Sequence, residues 1–330
     1  MGVIIFYLVI RQAGPETFEL TFSLFFSWQG ISLVLLTLLL AIVRSFNLKF
    51  ILSCQGEDKS FFEISSIWII GYTVSYLTPI SLFGGEALKA YLLNKLTDIN
   101  WEKSVSSVII DKILDTTFHA VLVILGLLFF LRFGYFSEVW LFWVIALFLL
   151  LSVGGLIFFY YRAMGKRSIT LFVLNILGLE KTHLKSTKNG EFIFNTEGNI
   201  LRFFSPRKAF FWKGAFISFL AHLISYIRAV FLVLFLVGAF HPARALAVEG
   251  LAYLSMFFPF PAGLGGLETA TGFGFGALEL GFKEGVAYGM TRRAADLTVC
   301  LFGIFLGIRA LLILFQLKTF SFIDKIIKSD

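Results

Sequence analysis

The sequence predicts an all-α integral membrane protein, and three observations carry that prediction. First, 58% of the 330 residues are hydrophobic and only 15% are charged, against about 25% charged in an ordinary soluble domain. Second, the apolar residues gather into long runs, the pattern of a chain that meets the bilayer repeatedly. Third, a proline–glycine–glutamate stretch inside apolar sequence, Pro79 to Glu86, returns at Pro261 to Glu268.

About eight apolar segments are read, at 2–11, 23–43, 61–82, 104–131, 138–161, 209–239, 244–260 and 285–316, and the chain 1–330 reads as one polytopic domain. The first run lacks a basic flank and a small-residue cleavage site, so it does not read as a signal peptide. It is also short for a span, as if the start were truncated. Loop charge orients the rest. The 44–60 connection carries Arg44, Lys49 and Lys59; the 162–208 connection carries nine lysines and arginines against Glu180, Glu191 and Glu197; the C-terminus adds Lys318, Lys325 and Lys328. All three are expected on the cytoplasmic side of the cell (inner) membrane, and the 11–22 connection outside. Within 162–208 an amphipathic piece is expected around Leu171–Leu179 and a turn at Asn189–Gly190. These loops account for the net charge of +7, so no nucleic-acid partner is expected.

The repeated stretches follow from the same charge parity. If 61–82 crossed fully, Lys89, Lys95 and Lys103 would lie outside and 104–131 would run the wrong way. Parity is restored if the chain enters, breaks at Pro79, Gly84 and Gly85, and returns through 86–97. In 244–281 the break falls at Pro261, Gly265 and Gly266, with Lys283 outside. The two re-entrant hairpins then enter from opposite sides, and 23–131 and 209–316 form an inverted repeat. Broken helices of this kind persist where protein or a cavity surrounds the bend. The plain alternative is two independent glycine–proline kinks in ordinary spans.

Ionisable side chains inside apolar segments cost at least about 2.5 kcal/mol each on insertion scales, so they face a partner or a cavity. Asp111 and Asp115, four apart, share a helical face that His119 continues. Lys112 sits beside Asp111. Arg292, Arg293 and Asp296 repeat the arrangement near the C-terminus; His222 and Arg228 lie on 209–239, Glu249 on 244–260, and Glu86 and Lys89 begin the return arm of the first hairpin. These charges either pair to lock the two halves together or leave cations free to hold an anionic group. Clustered lysine and arginine, with a helix start after Gly84–Gly85, suit a phosphate.

Known enzyme motifs are missing. Asp111-x-x-x-Asp115 lacks the upstream elements of a metal-dependent phosphatidyltransferase, and no Gly-x-Ser-x-Gly, His-Glu-x-x-His or P-loop occurs. The four histidines are scattered and read as packed or hydrogen-bonded. Cys54 and Cys300 follow no metal or redox spacing. No metal and no cofactor is expected.

The stretch LTPISLFGGEALKAYLL followed by SVIIDKILD, and FPFPAGLGGLETA followed by RRAAD, resemble the integral membrane domain of lysylphosphatidylglycerol synthases and their stand-alone flippase-like relatives, the UPF0104 membrane proteins. The resemblance covers essentially the whole chain. Lys89 and Lys112 stand where the family pattern has arginine, which keeps the charge and loses bidentate geometry; Arg293 matches the family arginine. The resemblance implies translocation of a polar or anionic phospholipid or a polyprenyl-linked lipid. The site residues are then Glu86, Lys89, Asp111, Lys112, Asp115, Arg228, Glu268, Arg292, Arg293 and Asp296. With about a dozen residues after the last segment, the aminoacyl-transfer domain of the full synthases is not expected. Membrane lipids are the expected partners, and a lipid-synthesising enzyme or a second copy is compatible. The competing readings are a membrane-embedded, metal-dependent enzyme of lipid or polyprenol metabolism and an accessory membrane subunit with a structural ionic core.

Overall fold

The computed structural model describes residues 2–78, 84–133, 139–176, 187–205, 209–255 and 263–327, and every regular element among them is helical. In chain order these are α1 (Gly2–Ala13), α2 (Glu16–Phe25), α3 (Trp28–Cys54), α4 (Phe61–Leu77), α5 (Gly84–Thr97), α6 (Trp101–Phe133), α7 (Val139–Met164), α8 (Ile169–Ile176), α9 (Lys188–Phe203), α10 (Ala209–Val237), α11 (Pro242–Ser255), α12 (Gly266–Ala277) and α13 (Phe282–Ile327). Four stretches among the described residues are long and apolar enough to cross a bilayer: Trp28–Cys54, Trp101–Phe130, Ala209–Val237 and Phe282–Gln316. The other expected segments do not all appear as full spans; α4 and α11 have 17 and 14 residues. The outer face of α13 exposes Leu301, Phe305 and Leu312 at 67%, 71% and 60%. Such a surface is stable against lipid and not against water. The chain is an all-α integral membrane protein.

Local signals set several boundaries. Ser60 caps α4 through Glu63 N–H at 3.2 Å, while the Glu63 carboxylate accepts from Ser60 N–H at 3.1 Å, a complete capping box. Thr78, which precedes Pro79, is extended with ψ 153°, as a residue before proline prefers. Pro79 and Pro261 lie outside the described residues, but the glycines beside them do not. Gly84 and Gly85 open α5, and a Cβ on Gly85 would sit 1.9 Å from the Gly71 carbonyl oxygen, so α4 and α5 touch backbone to backbone. Gly265 has φ +81°, a conformation few side chains tolerate, and Gly266 begins α12.

Two expectations are corrected. The charged 44–60 stretch is not a loop from Arg44 onward, because α3 continues helical to Cys54. Asn189–Gly190 is not a turn between two apolar runs but lies in the first turn of α9, held by Thr187, whose hydroxyl accepts from Gly190 N–H at 3.2 Å. The piece expected around Leu171–Leu179 is helical in its described part, α8 over Ile169–Ile176, and residues 177–179 lie outside the described residues.

Contacts between the first group of helices (α3–α6) and the second (α10–α13) fall in matching sets. α3 packs along α10; α4 lies on α13 as α11 lies on α6; and α4 pairs with α5 as α11 pairs with α12. Trp28 meets Phe235 at 5.4 Å between ring centroids and Arg228 reaches Thr37 at 3.0 Å, so α3 and α10 run antiparallel. At one end of α3, Lys103 Nζ meets Glu57 at 2.6 Å and Gln55 bonds Ser107 at 2.9 Å, which joins the start of α6 to the stretch before α4. At the other end, Leu24, Val233, Leu278 and Leu280 share a buried cluster.

The most extensive helix contact among the described residues, α6 on α11, depends on Gly126 and Gly250. A Cβ on Gly126 would lie 2.6 Å from the Leu246 carbonyl oxygen and 2.8 Å from Gly250 Cα. Both obstacles are backbone and cannot rotate away. Gly126→Ala is expected to destabilise the protein by about 1–3 kcal/mol, the usual cost of overpacking. Thermal unfolding in detergent checks this, with Gly154→Ala, which has open space around it, expected to leave the midpoint unchanged.

Candidate functional site

Between the two helix groups lies a cavity of about 230 Å³. α3 and α10 supply Arg44 and Arg228; α4 supplies Trp68, Tyr72 and Tyr76; α5 supplies Glu86 and Lys89. α6 contributes Asp111, Lys112, Asp115 and His119, and α13 contributes Arg292 and Asp296. Five arginine and lysine side chains and four carboxylates thus face one space. Eight of the ten expected site residues line it.

The other two do not. Glu268 is 0% exposed; its carboxylate accepts from Gly265 N–H at 3.0 Å and from Arg293 at 2.8 Å, and Arg293 also donates to the Gly263 carbonyl at 3.0 Å. That knot ties the start of α12 to α13. Its counterpart differs: Glu86 lies 3.0 Å from Lys89 and 3.7 Å from Lys112 and faces the cavity. The two motif glutamates therefore have different jobs. One is sealed in the scaffold and one is at the wall of the space.

The arginine–carboxylate pairs run within the two helix groups rather than between them. Asp115 is bound by Arg44 of α3, with Lys112 at 3.9 Å; Asp296 is bound by Arg228 of α10 at 2.7 Å; Arg292 is bound by Glu249 of α11. Every arginine–carboxylate pair among these stays within one helix group. Arg293 and Asp296, adjacent on the α13 surface, take separate partners.

Helical spacing explains much of the lining. Asp111, Asp115 and His119 follow one face of α6 as the sequence predicts, and Trp68, Tyr72 and Tyr76 follow one face of α4, stacked at 5.3 and 5.8 Å. Lys89 lies over the Trp68 ring at 5.3 Å, a cation–π contact that leaves its ammonium facing Glu86. Asp111 accepts from Asn47 at 2.8 Å. Beneath Arg292, Glu249 also accepts from Ser225 at 2.9 Å and Tyr288 at 3.0 Å, and Tyr253 donates to Ser225 at 2.8 Å.

Sequence reasoning missed Arg44 and the aromatic wall. Arg44 carries the signal of a loop charge because it ends an apolar run; only the unbroken helix of α3 turns it inward. The four-residue spacing of Trp68, Tyr72 and Tyr76 was legible but is equally that of a lipid-facing stripe. The scattered histidines are also brought together in part. His119 and His222, on different helices, have ring centroids 4.6 Å apart.

Such a cavity can hold a polar, charged group inside an apolar bundle: its cations satisfy an anion, its carboxylates an amine, and its aromatic wall a hydrocarbon or ring face. Comparison with known proteins agrees with a membrane setting. Residues 1–303 match the family model described as the lysylphosphatidylglycerol synthase TM region. A UPF0104 membrane protein of Methanocaldococcus jannaschii is 33% identical over 82 residues, 25% of this chain and 24% of that protein, so the aligned stretch spans about a quarter of the relative. No solved structure matches.

Proposed function

Because the chain belongs to the lysylphosphatidylglycerol synthase transmembrane-region family, we propose that it moves the polar headgroup of a phospholipid or polyprenyl-linked lipid across the bilayer. The observation that carries this reading is the cavity itself. Five cations and four carboxylates line about 230 Å³ inside an apolar bundle, where each unneeded charge would be selected against by its insertion cost. The headgroup phosphate would be held by Lys89, Lys112, Arg44, Arg228 and Arg292, with Glu86, Asp111, Asp115 and Asp296 orienting them, while the acyl or prenyl tail stays in lipid.

In this reading the two helix groups are inverted repeats. The antiparallel α3–α10 pair and the matching contact sets support it, as does the Glu57–Lys103 contact, which returns the α4–α5 hairpin to the side it entered from. Glu16 and Lys283 are paired, so the 11–22 connection shares a side with the return of the α11–α12 hairpin. The 162–208 stretch and the C-terminus are then cytoplasmic. Single cysteines at Lys95 and Lys283, with Cys54 and Cys300 replaced, are expected to react with an impermeant maleimide from opposite faces of the membrane. Reaction from one face would rule the inverted arrangement out.

The function is tested in liposomes containing the purified protein and a labelled lipid. Exposure of the headgroup in the far leaflet, followed by a membrane-impermeant quencher, is expected to rise faster than in protein-free vesicles. Rates no faster than in protein-free vesicles for anionic, aminoacylated and polyprenyl phosphate lipids alike would overturn the reading.

A further inference from the structure

The geometry points to a divalent-metal site, of the zinc class, formed by Asp115, His119 and His222 at the wall of the cavity. Asp115 and His119 are one helical turn apart on α6, and His222 faces them from α10. His119 Nδ1 lies 3.3 Å from one Asp115 oxygen and His222 Nε2 lies 3.5 Å from the other. All three ligand atoms fall within 4.8 Å of one another. A tetrahedral zinc with bonds of about 2.0–2.2 Å sets its ligands about 3.3–3.5 Å apart; the His119–Asp115 edge already has that length, and the His222 nitrogen lies within the 4.8 Å that the three ligand atoms span.

His222 supplies the independent observation. It is 2% exposed, and its Nδ1 lies 2.8 Å from the Ser218 carbonyl oxygen. A carbonyl only accepts, so Nδ1 carries the proton and, in the neutral ring, Nε2 carries a lone pair. That Nε2 is buried and has no hydrogen-bond partner. It faces a carboxylate oxygen at 3.5 Å whose charge Arg44 meets, while Nε2 itself receives no donor and its lone pair is left without a positive centre. A proton on Nε2 would serve poorly, since 3.5 Å exceeds a normal hydrogen bond. A metal ion fits the gap. The backbone carbonyl holding Nδ1–H is also the usual outer support of a metal-binding histidine.

The surrounding charge sets the limits. Arg44 already binds Asp115, and Lys112 Nζ is 3.9 Å from it; both oppose a dication. Arg44 binds Asp115 Oδ1, the oxygen nearer His222, so the metal would take Oδ2, the oxygen beside His119. The fourth position opens on the cavity that Asp115 and His119 line, where a water or a phosphate oxygen would complete the shell. Imidazole and carboxylate together favour zinc-like ions over calcium or magnesium. The site goes beyond the translocation reading and stands on its three ligands whatever enters the cavity.

The test uses the full chain purified in detergent, stripped with a chelator, and dialysed against zinc or cobalt. Stoichiometric zinc by elemental analysis, a visible cobalt spectrum of tetrahedral intensity and a rise in unfolding temperature on zinc addition are expected. His119→Gln and His222→Gln should each lose the metal and the thermal shift, while His241→Gln should keep both. If the wild type holds no zinc after dialysis, the site does not exist. Zinc retained undiminished in His119→Gln overturns it equally, and that variant changes a side chain less buried than His222, so it guards against a His222 variant that fails to fold.

Discussion

Glu249→Leu is expected to destabilise the protein by about 3–5 kcal/mol, the cost of removing one member of a buried ion pair. Glu249 is 0% exposed and is the shared acceptor for Arg292, Tyr288 and Ser225. Leucine in its place leaves a buried guanidinium and two hydroxyls without their acceptor. The double variant Glu249→Leu with Arg292→Leu removes both charges, and apolar replacement of a whole buried pair is often nearly neutral. It should recover much of the loss. Unfolding midpoints in detergent check both; a single variant as stable as the wild type would mean that Arg292 finds another acceptor in the cavity.

Lys89→Met is expected to leave the fold intact and to slow translocation about 10- to 100-fold. Glu86 keeps Lys112 as a second partner at 3.7 Å, so the carboxylate is not stranded. What is lost is a cation at the cavity wall, and one charged hydrogen bond to a phosphate contributes about 1.5–3 kcal/mol. The vesicle assay gives the rate, and the unfolding midpoint separates lost transport from lost folding. Unchanged transport would remove Lys89 from the headgroup path.

The membrane class and most of the cavity's charged residues were legible because bilayer physics writes them plainly: an ionisable side chain inside an apolar run needs a reason. Asp111, Asp115 and His119 could be placed on one face from spacing alone. Partners could not. Asp115 pairs with Arg44 and Arg293 with Glu268 because of how α3, α6, α12 and α13 are rotated against each other, and a charge pattern along one helix says nothing about its neighbour's rotation. His119 and His222 stand 103 residues apart in the chain, so only the packing of α10 on α6 joins them. Arg44 was hidden by a rule that usually works, since a basic residue at the end of an apolar run more often marks a loop than the inside of a longer helix.

The segregation of arginine–carboxylate pairs within each helix group has a mechanical consequence. Where α3 meets α10 and α6 meets α10 and α11, the described contacts are chiefly apolar side chains and close-approaching glycines, with Arg228–Thr37 and His222–Asp115 as polar exceptions. Dispersion contacts can be exchanged for similar ones as two surfaces slide, whereas a buried ion pair resists separation strongly. Each group can thus keep its own arginine–carboxylate pairs intact while shearing past the other, and a metal held by Asp115, His119 and His222 would pin that seam.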